Sequence, residues 1–224
     1  MKFAVTGGAG FVGNNIVKLL VSKGHDVVVI DNLHTGKKEN LQEIIKEIEF
    51  HNVDIRDFSK LESILENVDG IFHEAALTIV QESFQKEKEY FDVNVKGTEN
   101  ILSAAISEKV EKFIFTSSSE VYGEPLKLPI NESSITQGKT LYAVSKLAGE
   151  KYVRAFKDLY GMNVSMLRYY HVYGPRQESS DVGGVVSIFA RRALEGKDLT
   201  IYGDGSQVRS FTYVKDVVNI NKFV

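Results

Sequence analysis

The sequence predicts an α/β protein built on a doubly wound parallel sheet, with a smaller part at its C-terminal end. Short apolar segments of strand length alternate with stretches of helical periodicity, which is typical of βαβ units. A glycine-rich turn joins the first apolar segment to the first helical one. The 224 residues are enough for one sizeable α/β domain and a small appendage.

The predicted strands, taken in chain order, should end at one common edge of the sheet. We predict strands over residues 2–6, 26–30, 48–53, 70–73, 112–116 and 163–167, with helices between them. Ligands of open parallel sheets bind at the carboxyl ends of the strands. The side chains expected at that edge are Thr6, Asp31, Asp54, His73, Ser117 and Arg168. Beyond residue 168 the pattern changes to short pieces with glycine turns, so we divide the chain into residues 1–168 and 169–224.

The first turn carries three glycines at intervals of three residues. The chain must turn sharply at Gly7, admit a phosphate beside the backbone at Gly10, and pack helix against strand at Gly13. The helix that follows has an apolar face and ends near Gly24, so its N-terminus can point at a pyrophosphate. Such a triplet also occurs in plain strand-to-helix turns, but the surrounding strand, helix and second strand favour a dinucleotide site.

An acidic residue ends the second strand and indicates which dinucleotide binds. Asp31 follows the glycines at close to the expected separation of about 20 residues, and its carboxylate can accept hydrogen bonds from both ribose hydroxyls. A carboxylate there repels a 2′-phosphate, which favours NAD over NADP. Lys37 and Lys38 follow nearby and could serve a phosphate, which leaves NADP as the alternative.

Tyr142 and Lys146 form a second chemical constellation with the serines at the end of the fifth strand. Their spacing of four places both side chains on one helix face. A free tyrosine titrates near 10, and lowering its pKa to about 7 takes roughly 4 kcal/mol. We expect Lys146 and a positively charged nicotinamide to supply this, so that Tyr142 accepts a proton while hydride leaves the same carbon. In isolation the pair would be a half-buried tyrosine and a solvated lysine.

Composition excludes several other classes of function. The net charge of −3 gives no basic footprint for nucleic acid, and the absence of cysteine excludes disulfides and thiolate chemistry. The histidines show no ligand spacing, so no metal site is predicted. No apolar run reaches about 18 residues, and Met1 leads straight into the first strand, which predicts a cytoplasmic protein without a membrane span or signal peptide.

The chain resembles the extended short-chain dehydrogenase/reductase family, and within it the nucleotide-sugar epimerases and dehydratases, closest to the UDP-glucose 4-epimerase group. Residues 6–13 match the glycine motif of this Rossmann-type family. Residues 31–36 resemble its ribose-binding segment, 53–57 its adenine-contacting loop, and 73–76 a segment lining the cofactor. The resemblance implies NAD as cofactor, with residues 1–168 as its binding domain and residues 169–224 as substrate-binding elements interleaved with that core. The implied cofactor-binding residues are Gly7, Gly10, Phe11, Val12, Gly13, Asp31, Asn32, Thr35, Gly36, Asp54, Ile55, Ala75, Ala76, Asn94, Tyr142 and Lys146.

The same resemblance implies catalytic roles and a UDP-sugar substrate. Ser118, within residues 115–123, would hold the C4 hydroxyl of the sugar, Tyr142 would act as base and then acid, and Lys146 would bind the nicotinamide ribose. A 4-keto sugar would form, rotate and accept hydride on its other face. The implied substrate-binding residues are Ser118, Ser119, Glu120, Tyr142, His171, Val185, Tyr202 and Arg209. Members of the family suggest a homodimer that packs helices near residues 90–109 and 139–160.

Three departures from the family pattern keep other functions open. His171 stands where asparagine usually contacts the substrate, so the pocket is expected to differ. Glu120 follows Ser119, whereas 4,6-dehydratases have an aspartate-glutamate pair and UDP-glucuronate decarboxylases have serine-glutamate, so decarboxylation or a dehydratase-like reaction using Glu120 is the alternative. The chain stops at Val224, earlier than members of the family, so a truncated NAD-binding protein with little turnover is also considered.

Overall fold

The computed structural model describes residues 1–180 and 183–221, and within them a six-stranded parallel sheet forms the centre of the molecule. The strand order is β3-β2-β1-β4-β5-β6, which is the doubly wound order with its crossover point between β1 and β4. The strands are β1 (Lys2–Thr6), β2 (Asp26–Ile30), β3 (Ile48–His51), β4 (Gly70–His73), β5 (Lys112–Ser118) and β6 (Asn163–Tyr169). The predicted fold class is therefore confirmed. β3 ends two residues earlier than predicted, while β5 and β6 each continue two residues further.

Helices cover both faces of the sheet. The helices are α1 (Phe11–Ser22), α2 (Phe58–Ile64), α3 (Val80–Ser83), α4 (Glu87–Phe91), α5 (Thr98–Ser107), α6 (Leu141–Tyr160), α7 (Val185–Leu194) and α8 (Val214–Asn221). One core lies between the sheet and α2, α5 and α6, and a second lies between the sheet and α1 and α8. None of the helices in the described ranges is long and apolar enough to cross a membrane.

Three short segments between these elements escaped the sequence prediction. 3₁₀ turns cover Lys38–Ile44 and Ser119–Tyr122, and a single π-helical turn, Asp92–Gly97, runs directly into α5. π-helical turns are rare and frequently mark functional sites, and this one contains Asn94. The turn therefore sets where the Asn94 side chain enters the core.

The C-terminal part adds a small two-stranded sheet, β7 (Val172–Tyr173) and β8 (Thr212–Tyr213). α8 follows β8 and packs against α1. Of the predicted substrate-binding part, 169–224, residues 181–182 and 222–224 lie outside the described residues.

α6 is the longest helix and carries the predicted Tyr142 and Lys146 pair. The Thr140 hydroxyl accepts a hydrogen bond from the Ala143 amide at 3.0 Å and caps the N-terminus. Gly161, with φ +71°, ends the helix in the left-handed conformation. Both ends are thus fixed by local sequence, and Tyr142 lies in the first turn, at the carboxyl edge of the sheet.

Candidate active site

The glycine turn is packed too tightly for side chains at two of its three predicted positions. Gly7 has φ +66°, and a Cβ there would lie 2.8 Å from the Ala75 nitrogen. A Cβ on Gly13 would lie 2.2 Å from the Gly7 carbonyl oxygen, whereas at Gly10 the corresponding contact is 3.1 Å. The sharp turn at Gly7 and the helix packing at Gly13 are as the sequence predicts.

The N-terminus of α1 offers backbone donors to an anion. Gly10 is its N-cap and supplies no side-chain hydrogen bond, and the first turn contains no acidic residue. The first amides of a helix, here those of Phe11, Val12 and Gly13, have no carbonyl partner within the helix, and the helix dipole favours negative charge there. A pyrophosphate fits this cradle, so the phosphate-binding role predicted for the turn suits its geometry.

Asp31 lies at the end of β2 with its side chain 7 % exposed. Its Oδ2 accepts a hydrogen bond from the Ala9 amide at 2.9 Å, and its Oδ1 accepts one from the Leu33 amide at 2.8 Å. Burial raises the pKa of the Asp31 carboxyl, and these two backbone hydrogen bonds act in the opposite direction. Each carboxylate oxygen can accept a further hydrogen bond, so the group fits a ribose diol.

Lys37 and Lys38, which left NADP as the alternative cofactor, have other partners in the structure. Lys37 forms an ion pair with Glu178 at 3.2 Å, and the Lys38 ammonium lies 5.0 Å from the centre of the Phe50 ring. The Lys37 amide also donates to the Ala9 carbonyl, which holds this loop against the glycine turn. These contacts favour NAD over NADP at this site.

The remaining predicted residues of the adenosine end form a polar cluster beyond β3. Asn32 donates to the Asp54 carboxylate at 2.7 Å, and Arg56 donates to both oxygens of Asp54 at 2.8 Å. The Arg56 hydrogen bonds lower the pKa of Asp54 to about 2. Ile55 is buried and its carbonyl accepts from Asn100, while Thr35 is exposed. The structure therefore brings Asn32 and Asp54 together near Asp31.

A buried hydrogen-bond chain links the ends of β1 and β4 to the π-helical turn. His73, 1 % exposed, contacts the hydroxyls of Thr6 at 2.7 Å and Thr98 at 3.0 Å. The Thr98 hydroxyl donates to the Asn94 carbonyl, so it accepts from His73 Nε2, and the imidazole is neutral with Nδ1 as acceptor. Burial lowers the pKa of His73 to about 3, and the positive charge of Lys146 adds to this effect.

Asn94 fastens the loop after β4 to α6. Its Oδ1 accepts from the Leu77 amide at 2.8 Å, and its Nδ2 donates to the Leu77 carbonyl and to the Ser145 hydroxyl, both at 2.9 Å. Both amide donors are thereby used inside the protein. In this structure Asn94 positions the Ala75–Ala76 loop and the start of α6, and a direct cofactor contact by Asn94 stays a prediction.

Ser118, Tyr142 and Lys146 lie near the carboxyl edge of the sheet, each less than a tenth exposed. The Ser118 hydroxyl accepts a hydrogen bond from the Glu120 amide at 3.2 Å, and its proximity to the Tyr142 phenol lowers the phenol's pKa. The Lys146 ammonium lies 4.7 Å from the centre of the Phe115 ring. Ser118 and Tyr142 are therefore close enough to interact, and the part of the three residues in proton transfer stays a prediction.

The expected lowering of the Tyr142 pKa by Lys146 and a bound nicotinamide stays a prediction, and the protein alone has the opposite balance. Burial, with the negative charge of Glu120, raises the pKa of Tyr142 to about 12, and Ser118 only partly opposes this. Lys146 is itself buried, which lowers its pKa to about 8. Desolvation of the phenol therefore outweighs the effect that helical spacing alone suggested.

Two carboxylates in this region, the buried Glu150 and the partly buried Glu74, were not singled out from the sequence. Glu150 accepts two hydrogen bonds from Arg168, at 2.7 and 2.6 Å, and one from the Ser117 hydroxyl at 2.6 Å. Glu74 accepts hydrogen bonds from the hydroxyls of Thr116 and Tyr169. The signal for Glu150 was its spacing, four residues beyond Lys146 on the same helix face. Arg168, predicted at the ligand edge, is thus engaged by Glu150.

Four of the predicted substrate residues, His171, Val185, Tyr202 and Arg209, are exposed. Glu120 and Arg209 both influence His171, whose pKa is lowered mainly by burial. His171 has φ +23° and its ring contacts that of Phe211 edge-on, with centroids 5.8 Å apart. Val185 is the first residue of α7, and Tyr202 is 79 % exposed. Ser119 begins the 3₁₀ turn after β5, beside Ser118.

Known proteins are similar to this chain in sequence and in fold. Residues 3–224 match the model of the NAD dependent epimerase/dehydratase family. A putative UDP-glucose 4-epimerase of Methanocaldococcus jannaschii is 41% identical over 97% of the chain and 71% of its own length. A UDP-N-acetyl-alpha-D-glucosaminuronate decarboxylase of Bacillus cytotoxicus is 37% identical over 96% of the chain and 68% of its own length.

Solved structures agree with these relatives. The UDP-glucose 4-epimerase of Thermotoga maritima, solved with UDP-glucose, superposes with a TM-score of 0.95 at 38% identity, covering 99% of this chain and 72% of that one. The Thermus thermophilus UDP-glucose 4-epimerase, solved with NAD, gives 0.93 at 39% identity, covering 100% of this chain and 74% of that one. The chain thus spans about 70% of the length of these proteins.

Proposed function

We propose a specific reaction for this chain, which belongs to the NAD dependent epimerase/dehydratase family. The reaction is the epimerisation at C4 of a UDP-sugar of the UDP-glucose/UDP-galactose type, through a transient 4-keto sugar. NAD is the cofactor. The observation that carries the proposal is the placement of the buried Ser118 and Tyr142 hydroxyls side by side, with Lys146 one helical turn further.

The proposed chemistry moves one proton and one hydride and returns both. The Ser118 hydroxyl holds the C4 hydroxyl of the sugar, and Tyr142 takes the proton of that hydroxyl as the C4–H bond breaks. NAD supplies the hydride acceptor and a positive charge near the phenol. After the keto sugar has rotated in the site, hydride returns to the opposite face of C4 and Tyr142 gives the proton back. No net oxidation occurs.

The proposed mechanism requires the raised pKa of Tyr142 to fall when the site is filled. Bringing that pKa from about 12 to about 7 requires roughly 7 kcal/mol of preferential stabilisation of the phenolate. Lys146, the hydrogen bond from Ser118 and the positive charge of the bound cofactor all act in that direction. Without these contributions the Tyr142 phenol stays protonated at neutral pH and cannot accept the proton of the sugar hydroxyl.

A decarboxylase or dehydratase-like reaction is the second candidate, and Glu120 is the observation that favours it. Its charge acts on both Tyr142 and His171, so a second acid–base group lies close to the phenol. The Bacillus cytotoxicus relative carries a decarboxylase name. Ser119 stands where a second carboxylate would serve elimination of water, which argues against dehydration.

Substrate binding and dimer formation are also part of the proposal, and both involve less buried residues. We assign the nucleotide, diphosphate and sugar to residues 169–224 and the strand edge, through Ser119, Glu120, His171, Val185, Tyr202 and Arg209. A homodimer would cover exposed apolar side chains on α4 and α6, among them Phe91, 59 % exposed, and Val144, 49 % exposed. Residues 1–168 would then hold NAD.

Product analysis on a set of UDP-sugars tests the proposal. The purified chain is incubated with UDP-glucose, UDP-N-acetylglucosamine or UDP-glucuronate, and products are identified by NMR. We expect UDP-galactose from UDP-glucose. Tyr142→Phe should lower turnover by about 10²–10⁴-fold and leave bound NAD unchanged. Tyr160→Phe, at the exposed end of the same helix, is the matched control and should keep full activity.

Other products decide between the alternatives. Release of CO2 from UDP-glucuronate, lost in Glu120→Gln, would favour decarboxylation. Bound NAD without conversion of any sugar would contradict both reactions and leave an NAD-binding protein with little turnover.

A further inference from the structure

Glu150, on α6, joins this helix to two neighbouring strands at one level of the sheet. It is 6 % exposed. Its Oε1 accepts hydrogen bonds from the Ser117 hydroxyl at 2.6 Å and from Arg168 Nε at 2.7 Å, and its Oε2 accepts one from Arg168 Nη2 at 2.6 Å. Ser117 and Arg168 are register partners in the parallel pairing of β5 with β6. One carboxylate therefore ties α6 to both strands at the same point.

The Glu150 carboxylate is held as an anion. Burial alone would raise its pKa, but the hydrogen bonds from Arg168 and Ser117, together with the Arg168 charge, bring that pKa below its ordinary value. An arginine that donates to both oxygens of a carboxylate forms short hydrogen bonds of defined direction. The contact therefore leaves the helix little freedom to shift relative to the two strands.

The same contact holds the chain on both sides of Ser118. Ser117 comes directly before Ser118, which is the last residue of β5. The 3₁₀ turn after Ser118 ends at Tyr122, whose ring centre lies 4.7 Å from the Arg168 guanidinium carbon. Ser118 thus lies between two points that are both connected to Glu150, one directly and the other through Arg168.

α6 also packs directly on β5, through Phe115. A Cβ on Gly149 would lie 2.6 Å from the Phe115 Cζ, and the Lys146 ammonium lies 4.7 Å from the centre of the same ring. These contacts set the spacing between helix and strand. The directed hydrogen bonds of Glu150 then set where the helix lies over β5 and β6.

We propose that Glu150 is a positioning residue that keeps the Ser118 hydroxyl within reach of the Tyr142 phenol. Ser118 belongs to β5 and Tyr142 to α6, so the separation of the two hydroxyls depends on how strand and helix are placed. A displacement of about 1 Å between reacting groups can lower turnover by about 10²-fold. This inference rests on the proposed function, in which the two hydroxyls act together on the sugar.

Steady-state kinetics of the purified chain with UDP-glucose tests the positioning role. Ser117→Ala removes the hydrogen bond to β5 and keeps Glu150 paired with Arg168. We expect its kcat to fall by about tenfold with a KM within about twofold of the parent's, because the change displaces reacting groups and removes no contact with the substrate.

A double variant and a control complete the kinetic test. Glu150→Met with Arg168→Met removes the whole contact and leaves no buried charge, so the protein is expected to fold. Its kcat should fall by about 10²-fold. Arg154→Met changes an exposed arginine of the same helix whose charge also acts on Glu150, and it should keep the parental kcat. A parental kcat in the double variant, or an equal loss in the control, would overturn the proposal.

A distance measurement by NMR gives a second readout that requires no turnover. In the parent protein the Ser118 Cβ protons should give an NOE to the Tyr142 ring protons, and this NOE should weaken severalfold in Ser117→Ala and in the double variant. An NOE between Tyr142 and Ser145, whose hydroxyl donates to the Tyr142 carbonyl at 2.7 Å, is the reference and should keep its intensity.

The NOE also separates positioning from a role in stability alone. If Glu150 only stabilised the fold, the variants would unfold more easily but their folded molecules would keep the parental NOE between Ser118 and Tyr142. That result, or absence of this NOE in the parent, would overturn the proposal. Because the NOE is independent of the product analysis, failure of the positioning role can be told apart from failure of the proposed reaction.

Discussion

His73 should make the stability of the protein depend on pH in a predictable way. Folded His73 titrates at about 3 because it is buried, whereas an unfolded histidine titrates near 6.5. As pH falls below 6.5, the unfolded chain binds a proton that the folded protein excludes, so the free energy of unfolding falls with pH. At pH 5 the loss amounts to about 2 kcal/mol, and it continues toward pH 3. At pH 5 this figure is insensitive to the folded value as long as that value stays below about 4.

Urea denaturation followed by far-UV circular dichroism at pH 7 and pH 5 measures this effect, since the chain has no tryptophan. His73→Gln removes the titrating group, so its free energy of unfolding should change by about 2 kcal/mol less between the two pH values than that of the parent. His34→Gln, a change at an exposed histidine, should keep the parental pH dependence. An equal pH dependence in the parent and in His73→Gln would refute the reasoning.

Three further substitutions probe the site. Gly13→Ala places a Cβ 2.2 Å from the Gly7 carbonyl oxygen, so we expect the free energy of unfolding to fall by about 1–3 kcal/mol and NAD binding to weaken. Thermal unfolding with and without NAD measures both effects. Asp31→Asn removes the charge that repels a 2′-phosphate and should narrow the preference for NAD over NADP by about tenfold or more, measured by calorimetric titration of both; an unchanged ratio would contradict the assignment. Arg168→Met leaves the Glu150 carboxylate buried without its cation, so we expect the free energy of unfolding to fall by about 3–5 kcal/mol. In the double variant with Glu150→Gln, part of that free energy should be restored.

The sheet and the cofactor edge were predictable because they depend on local signals. Apolar runs ended by glycine or by a polar residue located all six strands to within two residues. Gly7 and Gly13 could be interpreted because the turn itself demands glycine there. Each of these inferences needs only sequence neighbours and the general rules of βαβ units.

The electrostatics of the site were not predictable, because they depend on contacts between distant parts of the chain. The Glu74 contact with Tyr169 spans 95 residues, and the two partners give no pattern in sequence. The raised pKa of Tyr142 results from burial by the whole fold, whereas spacing showed only its nearness to Lys146. The π-helical turn at Asn94 was not predicted, because its i→i+5 hydrogen bonds have no sequence pattern of their own.

The strand order also determines how the sheet can assemble. β1 lies in the middle of the sheet and pairs with β2 on one side and with β4 on the other, so its second neighbour comes more than 60 residues later. β5 and β6 then extend the same side, and Ser118 pairs with Tyr169 at their far ends. Parallel pairings across long separations form slowly. During synthesis the glycine turn can therefore form before β6 has paired with β5 at the edge that holds Ser118 and Tyr142.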